Sequence, residues 1–236
     1  MSAQSKHMRA NKWTLGLAIL LPLQMTLAAK PVELLYLSPD SVNVLDLLPD
    51  PPGPNSYEQQ CEAEQDQHIH ETRTKEQKEE AKEASKFDVF YFSGAIGPWF
   101  TAANCPKTAK LFEAVAEDGK YFEHVGKAHW NRPRPAVAQK KEKDSSSYPS
   151  GHATRSMAMA QVLEAIFPDR RTQIEARARQ IGWDRVILGD HFPSDIYAGR
   201  VLGKAIGRAL LANSEFQADL AAVKQEIDQA RQRFAH

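Results

Sequence analysis

Cysteine is scarce in this chain of 236 residues: Cys61 and Cys105 are the only two. At most one disulfide is therefore available. One bridge closing a long loop and two free thiols are the alternatives left open, and neither cysteine has a catalytic neighbourhood. Net charge is missing too. Thirty Lys+Arg balance thirty Asp+Glu, so nothing in the total draws the chain to nucleic acid or to an anionic membrane surface. After the first thirty residues no apolar run is long enough to cross a bilayer. Convincing strand alternation, βαβ spacing and internal repeats are also absent. What remains is 42% hydrophobic and 25% charged residues, the composition of an ordinary soluble domain with enough length for a core.

The first thirty residues stand apart. Lys6, Arg9 and Lys12 precede the apolar run from Leu15 to Leu23, and Thr26-Leu27-Ala28-Ala29 offers small residues at a cleavage position. This is the layout of a secretory signal peptide over residues 1–29, cut near Ala28 or Ala29. The competing reading is a membrane anchor. It fails because a spanning helix needs about 20 apolar residues, and Pro22 and Gln24 interrupt this run. Three of the thirty basic residues and no acidic one lie in the segment, leaving 27 Lys+Arg against 30 Asp+Glu. The expectation is a slightly acidic periplasmic protein without stable membrane insertion, forming one domain over residues 30–236.

Within that domain the signals are helical. Prolines at 31, 39, 49, 51, 52 and 54 predict an extended lead-in that wraps the surface. Asn55-Ser56 then offers a cap for a charged, helix-forming stretch to about Lys86, read as a solvated face. His68 and His70 lie within it, but no third ligand has the spacing of a metal site. Asp88 to Phe92 is too short for periodicity to separate a strand from a buried aromatic helix. A helix follows Pro106, with Leu111, Val115, Phe122 and Val125 near one face, and leads to Lys127. The polar loop from Gln139 to Ser147 is a candidate lid. Further helices are predicted over Ala153–Phe167, Arg171–Leu188, Pro193 to beyond Leu210, and Glu215–Arg233. The fold class is all-α.

Three segments carry the chemistry. In the helix around Arg185, residues Ile174, Ala178, Ile181, Arg185 and Leu188 form one stripe, apolar except for the arginine. A guanidinium facing a core needs an anion, either a protein carboxylate or a ligand. Ser150-Gly151-His152 opens a helix, where outward N–H groups favour phosphate oxygens and glycine lets the backbone come close. The alternatives are an ordinary turn or a hydrolase nucleophile; the Gly-x-Ser-x-Gly elbow is missing, so Ser150 is read as an oxyanion donor. Lys127 and Arg134 bracket Arg132 and two prolines, which predicts cations projecting from a stiff turn; a basic surface loop is the plainer alternative. His191 has Asp195 four residues on. A carboxylate at Nδ1–H would leave Nε2 free to attack phosphorus, while His152 would protonate the leaving alkoxide and later deprotonate water. This scheme requires no metal or cofactor.

Lys-x6-Arg-Pro, Pro-Ser-Gly-His and Arg-x5-His-x3-Asp, spread from Lys127 to Asp195, together resemble the phosphatidic acid phosphatase type 2 superfamily, which includes vanadium haloperoxidases. The closest branch is the exported class A bacterial non-specific acid phosphatases. That likeness rests on the signal peptide, Leu-Leu-Pro-Asp-Pro-Pro before Ser56, Lys-x-His-x-x-Arg-x-Arg-Pro and Ser-Tyr-Pro-Ser-Gly-His. The resemblance implies an α-helical bundle. It implies phosphate held by Lys127, Arg134, Ser150, Gly151 and Arg185, with His191 as nucleophile, His152 as acid/base and Asp195 as orienter. One departure is Asp184, where the family usually has serine before the arginine; another is the heavily charged stretch from Glu62 to Lys86.

The resulting expectation is a metal-independent periplasmic acid phosphatase acting on small-molecule phosphate monoesters through a phosphohistidine. The alternatives are a lipid-phosphate, lipid-pyrophosphate or lipopolysaccharide phosphatase of the same fold, a haloperoxidase variant that needs vanadate, and a non-catalytic oxyanion-binding helical protein. Homo-oligomerisation and the preferred substrate are left open.

Overall fold

A computed structural model of the protein describes residues 33–139 and 145–234. The expected signal peptide lies outside them, as do residues 140–144 of the expected lid. The lead-in is extended except for a 3-10 turn at Pro39–Ser41 and a short helix, α1 (Val44–Leu47). Three of its backbone N–H groups converge on one carboxylate of the body. Asp118 accepts from the backbone N–H groups of Leu35, Tyr36 and Leu37 at 2.6, 3.1 and 3.1 Å. Burial pushes the Asp118 carboxyl up, and those three N–H groups pull against it.

Ser56 caps α2 (Tyr57–Thr72) by accepting from Gln59 N, and Thr74 with Gln77 forms a capping box on α3 (Lys75–Ala84). The charged stretch is thus two helices broken at Arg73, not one. Its exposure is also one-sided: Asp66 and Ala81 are buried and Glu62 is half-buried. The aromatic segment is a 3-10 turn, Val89–Phe92, running into α4 (Ser93–Ile96). Of the two readings left open for it the helical one holds, because Asp88 accepts from Phe90 N and starts a turn there.

Pro106 opens α5 (Pro106–Trp130), followed by α6 (Ala136–Gln139), α7 (Gly151–Ile166), α8 (Arg171–Ile187), α9 (Pro193–Ala212) and α10 (Ser214–Phe234). No strand occurs among the described residues. The fold is all-α, as expected. Along α5, Leu111, Val115 and Phe122 are buried, but Val125 is exposed. The buried face continues through Gly126, one step of four beyond Phe122, where a side chain would meet Pro149.

Helix α7 is the centre, packed by α5, α8 and α9. It is apolar or small nearly all round, with Ala153, Met157, Ala158, Ala160, Val162 and Leu163 all buried, the pattern of a helix enclosed on every side. Each large core side chain buried this way contributes about 1.5–3 kcal/mol. Contact with α9 is closest where Gly199, Gly203 and Gly207 face it. A Cβ at Gly203 would overlap the Thr154 carbonyl oxygen, so only glycine allows this approach. Since Ser150 caps the start of α7 and α9 begins just after His191, this packing sets the distance between two of the three sequence segments. Gly203→Val should therefore lower unfolding free energy by about 1–3 kcal/mol, the usual cost of overpacking, as read by urea denaturation. An unchanged midpoint would show that the helices can part without penalty.

Candidate active site

His191 sits two residues before α9 and is almost fully buried, at 3% exposure. Its Nδ1 lies 3.4 Å from Asp195 Oδ2, and its Nε2 lies 3.2 Å from Arg134 Nη1. A guanidinium nitrogen only donates, so Nε2 accepts and the ring proton sits on Nδ1, facing the carboxylate. Burial pushes the His191 imidazole down; Asp195 opposes this, while Arg134 and Lys127 reinforce it. The net direction is towards the neutral ring.

Asp195 is completely enclosed. It occupies the third position of α9 and its Oδ2 reaches back to Phe192 N at 2.8 Å. Its Oδ1 accepts from Arg132 Nη1 at 2.5 Å. Burial would raise this carboxyl, but His191 and Arg132 outweigh it and hold the group below the usual carboxylate range. Arg132 is itself buried and stacks on Phe192, with its guanidinium carbon 4.4 Å from the ring centre. Its Nη2 donates to Gln59 Oε1 and Glu62 Oε2, both at 2.7 Å, and Glu62 also accepts from Ser194 N and Oγ at 2.6 and 2.8 Å. The charged helix α2 is thereby built into the support of Asp195.

Ser150 N donates to the Asp195 carbonyl at 3.0 Å, joining the α7 start to the same centre. Its Oγ caps α7 by accepting from Ala153 N at 3.5 Å, which leaves the hydroxyl proton available to a ligand. Gly151 lies against the Glu123 carboxylate, which a Cβ would overlap. One turn on, Lys127 Nζ is 3.3 Å from Glu123 Oε1, and Arg155 Nε is 3.6 Å from Oε2. Lys127 belongs to the last turn of α5 and not to the proline-rich turn expected for it. The helix runs three residues beyond Lys127 because the prolines that end it start only at Pro133; Asn131, in a left-handed conformation, closes it.

His152 Nε2 is 3.0 Å from the Ser85 carbonyl oxygen. A carbonyl only accepts, so Nε2 carries a proton and Nδ1 is the nitrogen that exchanges one. Burial and Arg185 together drive this imidazole well below its ordinary value, with Arg155 and His191 adding and the Ser85 carbonyl opposing. Arg185 donates to Ser85 Oγ and, at 2.5 Å, to Asp190 Oδ2. Asp190 in turn accepts at its backbone oxygen from Arg134 Nη1 at 2.8 Å, and Arg134 Nε donates to Ser145 Oγ at 2.5 Å. The eight residues singled out in the sequence thus fall into one connected cluster. The protein-carboxylate partner weighed for Arg185 is present as well, in Asp190.

Several members were not found by sequence reasoning. The sequence marks Arg132 only as a residue between two cations. Glu62, Ser85, Glu123, Asp190 and Ser194 were not read as site residues. Only Asp190 and Ser194 carried a signal, by lying within the third segment. Asp184 is buried and accepts from Gln180 at 2.8 Å. Beside the cluster, a cleft of about 460 Å³ is lined by Pro51, Pro52, Trp130, Arg134 and Phe192 among others. Cys61 is exposed and Cys105 buried; both are free. Among the described residues no group of three or more His, Cys, Asp or Glu side chains is arranged to hold a metal ion.

The profile of the PAP2 superfamily matches residues 109–217. Over 211 residues the chain is 32% identical to a non-specific acid phosphatase of Providencia stuartii, covering 83% of this chain and 85% of that one. The chain belongs to the PAP2 superfamily. A non-specific acid phosphatase of Salmonella typhi is 28% identical over 204 residues, 80% of this PAP2 chain and 82% of its own. A lipid A 1-phosphatase of Rhizobium etli shares 40% identity over 57 residues, 24% of this chain and 25% of that one. Among solved structures, the transmembrane PAP2 type phosphatidylglycerolphosphate phosphatase of Bacillus subtilis has the same fold. Its TM-score is 0.52 at 19% identity, over 65% of this chain and 85% of that one. No helix among the described residues here is long and apolar enough to cross a membrane.

Two outcomes follow from the buried charges. Arg132→Ala should cost about 3–5 kcal/mol in urea unfolding, because it leaves Asp195 and Glu62 enclosed without their cation; a loss under about 1 kcal/mol would place the pair among exposed ones. Both histidines have folded-state values below their unfolded value of about 6.5. The unfolded chain therefore binds more protons below that pH, and stability should fall as pH drops through and below it. His152→Gln should flatten this slope.

Proposed function

We propose that the protein is an exported acid phosphatase that hydrolyses phosphate monoesters through a phosphohistidine. The observation that carries this reading is that the partners of His191 and His152 leave one nitrogen of each ring for chemistry within a single cluster of cations. Nε2 of His191 has its lone pair directed at a phosphate-binding guanidinium, and Nδ1 of His152 is the exchanging position, since Nε2 is committed to Ser85.

Phosphate oxygens would take the guanidinium protons of Arg134 and Arg185, the ammonium of Lys127, the Ser150 hydroxyl and the N–H groups at the start of α7. His191 Nε2 then forms its bond to phosphorus as the ester P–O bond breaks. The proton on His152 Nδ1 passes to the leaving alkoxide. In the second half water attacks phosphorus, His152 takes its proton, and the N–P bond breaks to give inorganic phosphate and the neutral His191. Asp195 stabilises the positive charge on the His191 ring while phosphorus is attached, and its own low pKa keeps it ionised for that role.

The pH dependence follows from the same groups. His191 must be neutral and His152 protonated, and both rings are pushed towards neutral. The active combination therefore lies on the acid side of about 6.5, the ordinary histidine value. Export is supported by the sequence of residues 1–29, and the adjoining cleft has a volume within the roughly 300–1,000 Å³ typical of small-molecule sites. The second reading, a lipid or lipid A phosphatase of the same fold, is favoured by the 57-residue likeness to the Rhizobium etli protein.

A panel of p-nitrophenyl phosphate, nucleotides, sugar phosphates and lipid phosphates, run across pH with chelator present, tests these readings. The expected result is a bell-shaped profile centred below pH 6.5, undiminished by chelator, with soluble monoesters preferred. His191→Ala should abolish turnover and the pre-steady-state burst, and His152→Ala should slow it by about 10²–10⁴-fold. Unchanged turnover in His191→Ala would sink the phosphohistidine scheme, and preference for lipid phosphates would favour the second reading.

A further inference from the structure

Asp190 lies next to His191 and touches both arginines of the site. Its carboxylate Oδ2 receives Arg185 Nη2 at 2.5 Å, and its backbone oxygen receives Arg134 Nη1 at 2.8 Å. The pair with Arg185 is largely enclosed, with side-chain exposures of 13% and 21%, so the contact is not a solvent-screened surface bridge. We propose that Asp190 is an internal competitor for the phosphate anion, a specificity-determining residue that weakens the hold of this site on inorganic phosphate and so speeds product release. The inference rests on the phosphatase reading above.

Asp190 and a bound phosphate would share the donors of Arg185. A guanidinium has five N–H donors in a fixed fork, and those given to a carboxylate are not given to a phosphate oxygen. A phosphate entering beside Arg185 also meets the negative charge of Asp190, and like charges in a partly dry site repel strongly. Either Arg185 divides its donors or Asp190 turns aside. A second cation stands ready for the latter: Arg73 on the α2–α3 junction is close enough for its charge to act on Asp190, and it is anchored by donating to the Ile187 carbonyl. Asp66 of α2, buried on the same side, adds a further carboxyl whose value burial pushes up to about 6, with Arg73 pulling it down and Asp190 pushing it up. Two acidic groups thus border the cationic cradle on the α2 side. Tight binding of a dianion is opposed by design of the charges, while a transition state that spreads charge over the equatorial oxygens still reaches Arg134, Lys127 and the α7 start.

The sign of one measurement decides it. In steady-state hydrolysis of p-nitrophenyl phosphate, the competitive inhibition constants of inorganic phosphate and orthovanadate should fall about tenfold in Asp190→Asn, because a charged hydrogen-bond partner has been removed. KM should fall with them and kcat should drop, since release slows. Asp190→Glu, which keeps the charge, should stay within about threefold of wild type. Asp190→Ser removes the same charge with a smaller side chain and serves if the amide variant does not fold. A purely structural role predicts the opposite sign, weaker anion binding in Asn and Ser alike. Unchanged or raised inhibition constants, with wild-type turnover intact, overturn the inference alone. If the wild type neither hydrolyses the ester nor binds phosphate in calorimetry, the phosphatase reading falls and this inference with it.

Discussion

The buried guanidinium of Arg132, held between Asp195 on α9 and Glu62 on α2, is the contact on which the remaining site geometry depends. Three charges enclosed together would each be costly alone. Here every hydrogen bond that offsets one also fixes another. Asp195 is turned so that one oxygen meets Arg132 and the other meets Phe192 N and the His191 ring. Glu62 accepts from Ser194 N in the first turn of α9. If that guanidinium were lost, the carboxylate behind His191, the first turn of α9 and the docking of α2 would lose their common anchor at once.

Around this anchor three cations are each matched by a carboxylate of the protein. Lys127 has Glu123, Arg185 has Asp190, and Arg132 has Asp195 and Glu62. The balance explains how so many positive groups sit in one place in a chain of zero formal charge. It also divides them by role. Arg132 is buried between two carboxylates and serves to position, whereas Lys127 and Arg185 are themselves more exposed and stand at the cradle itself. The two imidazoles are driven towards the neutral form by burial beside this positive charge, so in the proposed mechanism the protonation that His152 needs for turnover is also one that favours unfolding.

Much of the candidate site was legible in the sequence because its pieces are local. Ser150-Gly151-His152 at a helix start, His191 four residues before Asp195, and Arg185 on an apolar stripe are all relations within one turn or one helix, where spacing fixes geometry. Helix starts at Ser56, Pro106 and Pro193 were legible for the same reason: a cap or a proline acts on the next few residues only. The errors arose where a longer range decides. Val125 was placed on the buried face of α5, but packing against Pro149 selects Gly126 instead. Lys127 was assigned to a turn, but α5 continues past it. The charged stretch reads as a solvated face because nothing in it announces that Glu62 meets Arg132 and Ser194, 70 and 132 residues away.

The sequence by itself determined the helical class, the helix boundaries near caps and prolines, and which side chains are candidates for the proposed phosphate chemistry, since these depend on residue type and on neighbours a few positions apart. The tertiary structure alone decided which nitrogen of each histidine carries its proton, which carboxylate answers Lys127, Arg132 and Arg185, and that Asp190 stands between Arg134 and Arg185. Those outcomes depend on burial and on distances between α2, α5, α7 and α9, and such distances are set by how glycine stripes and core side chains let the helices approach.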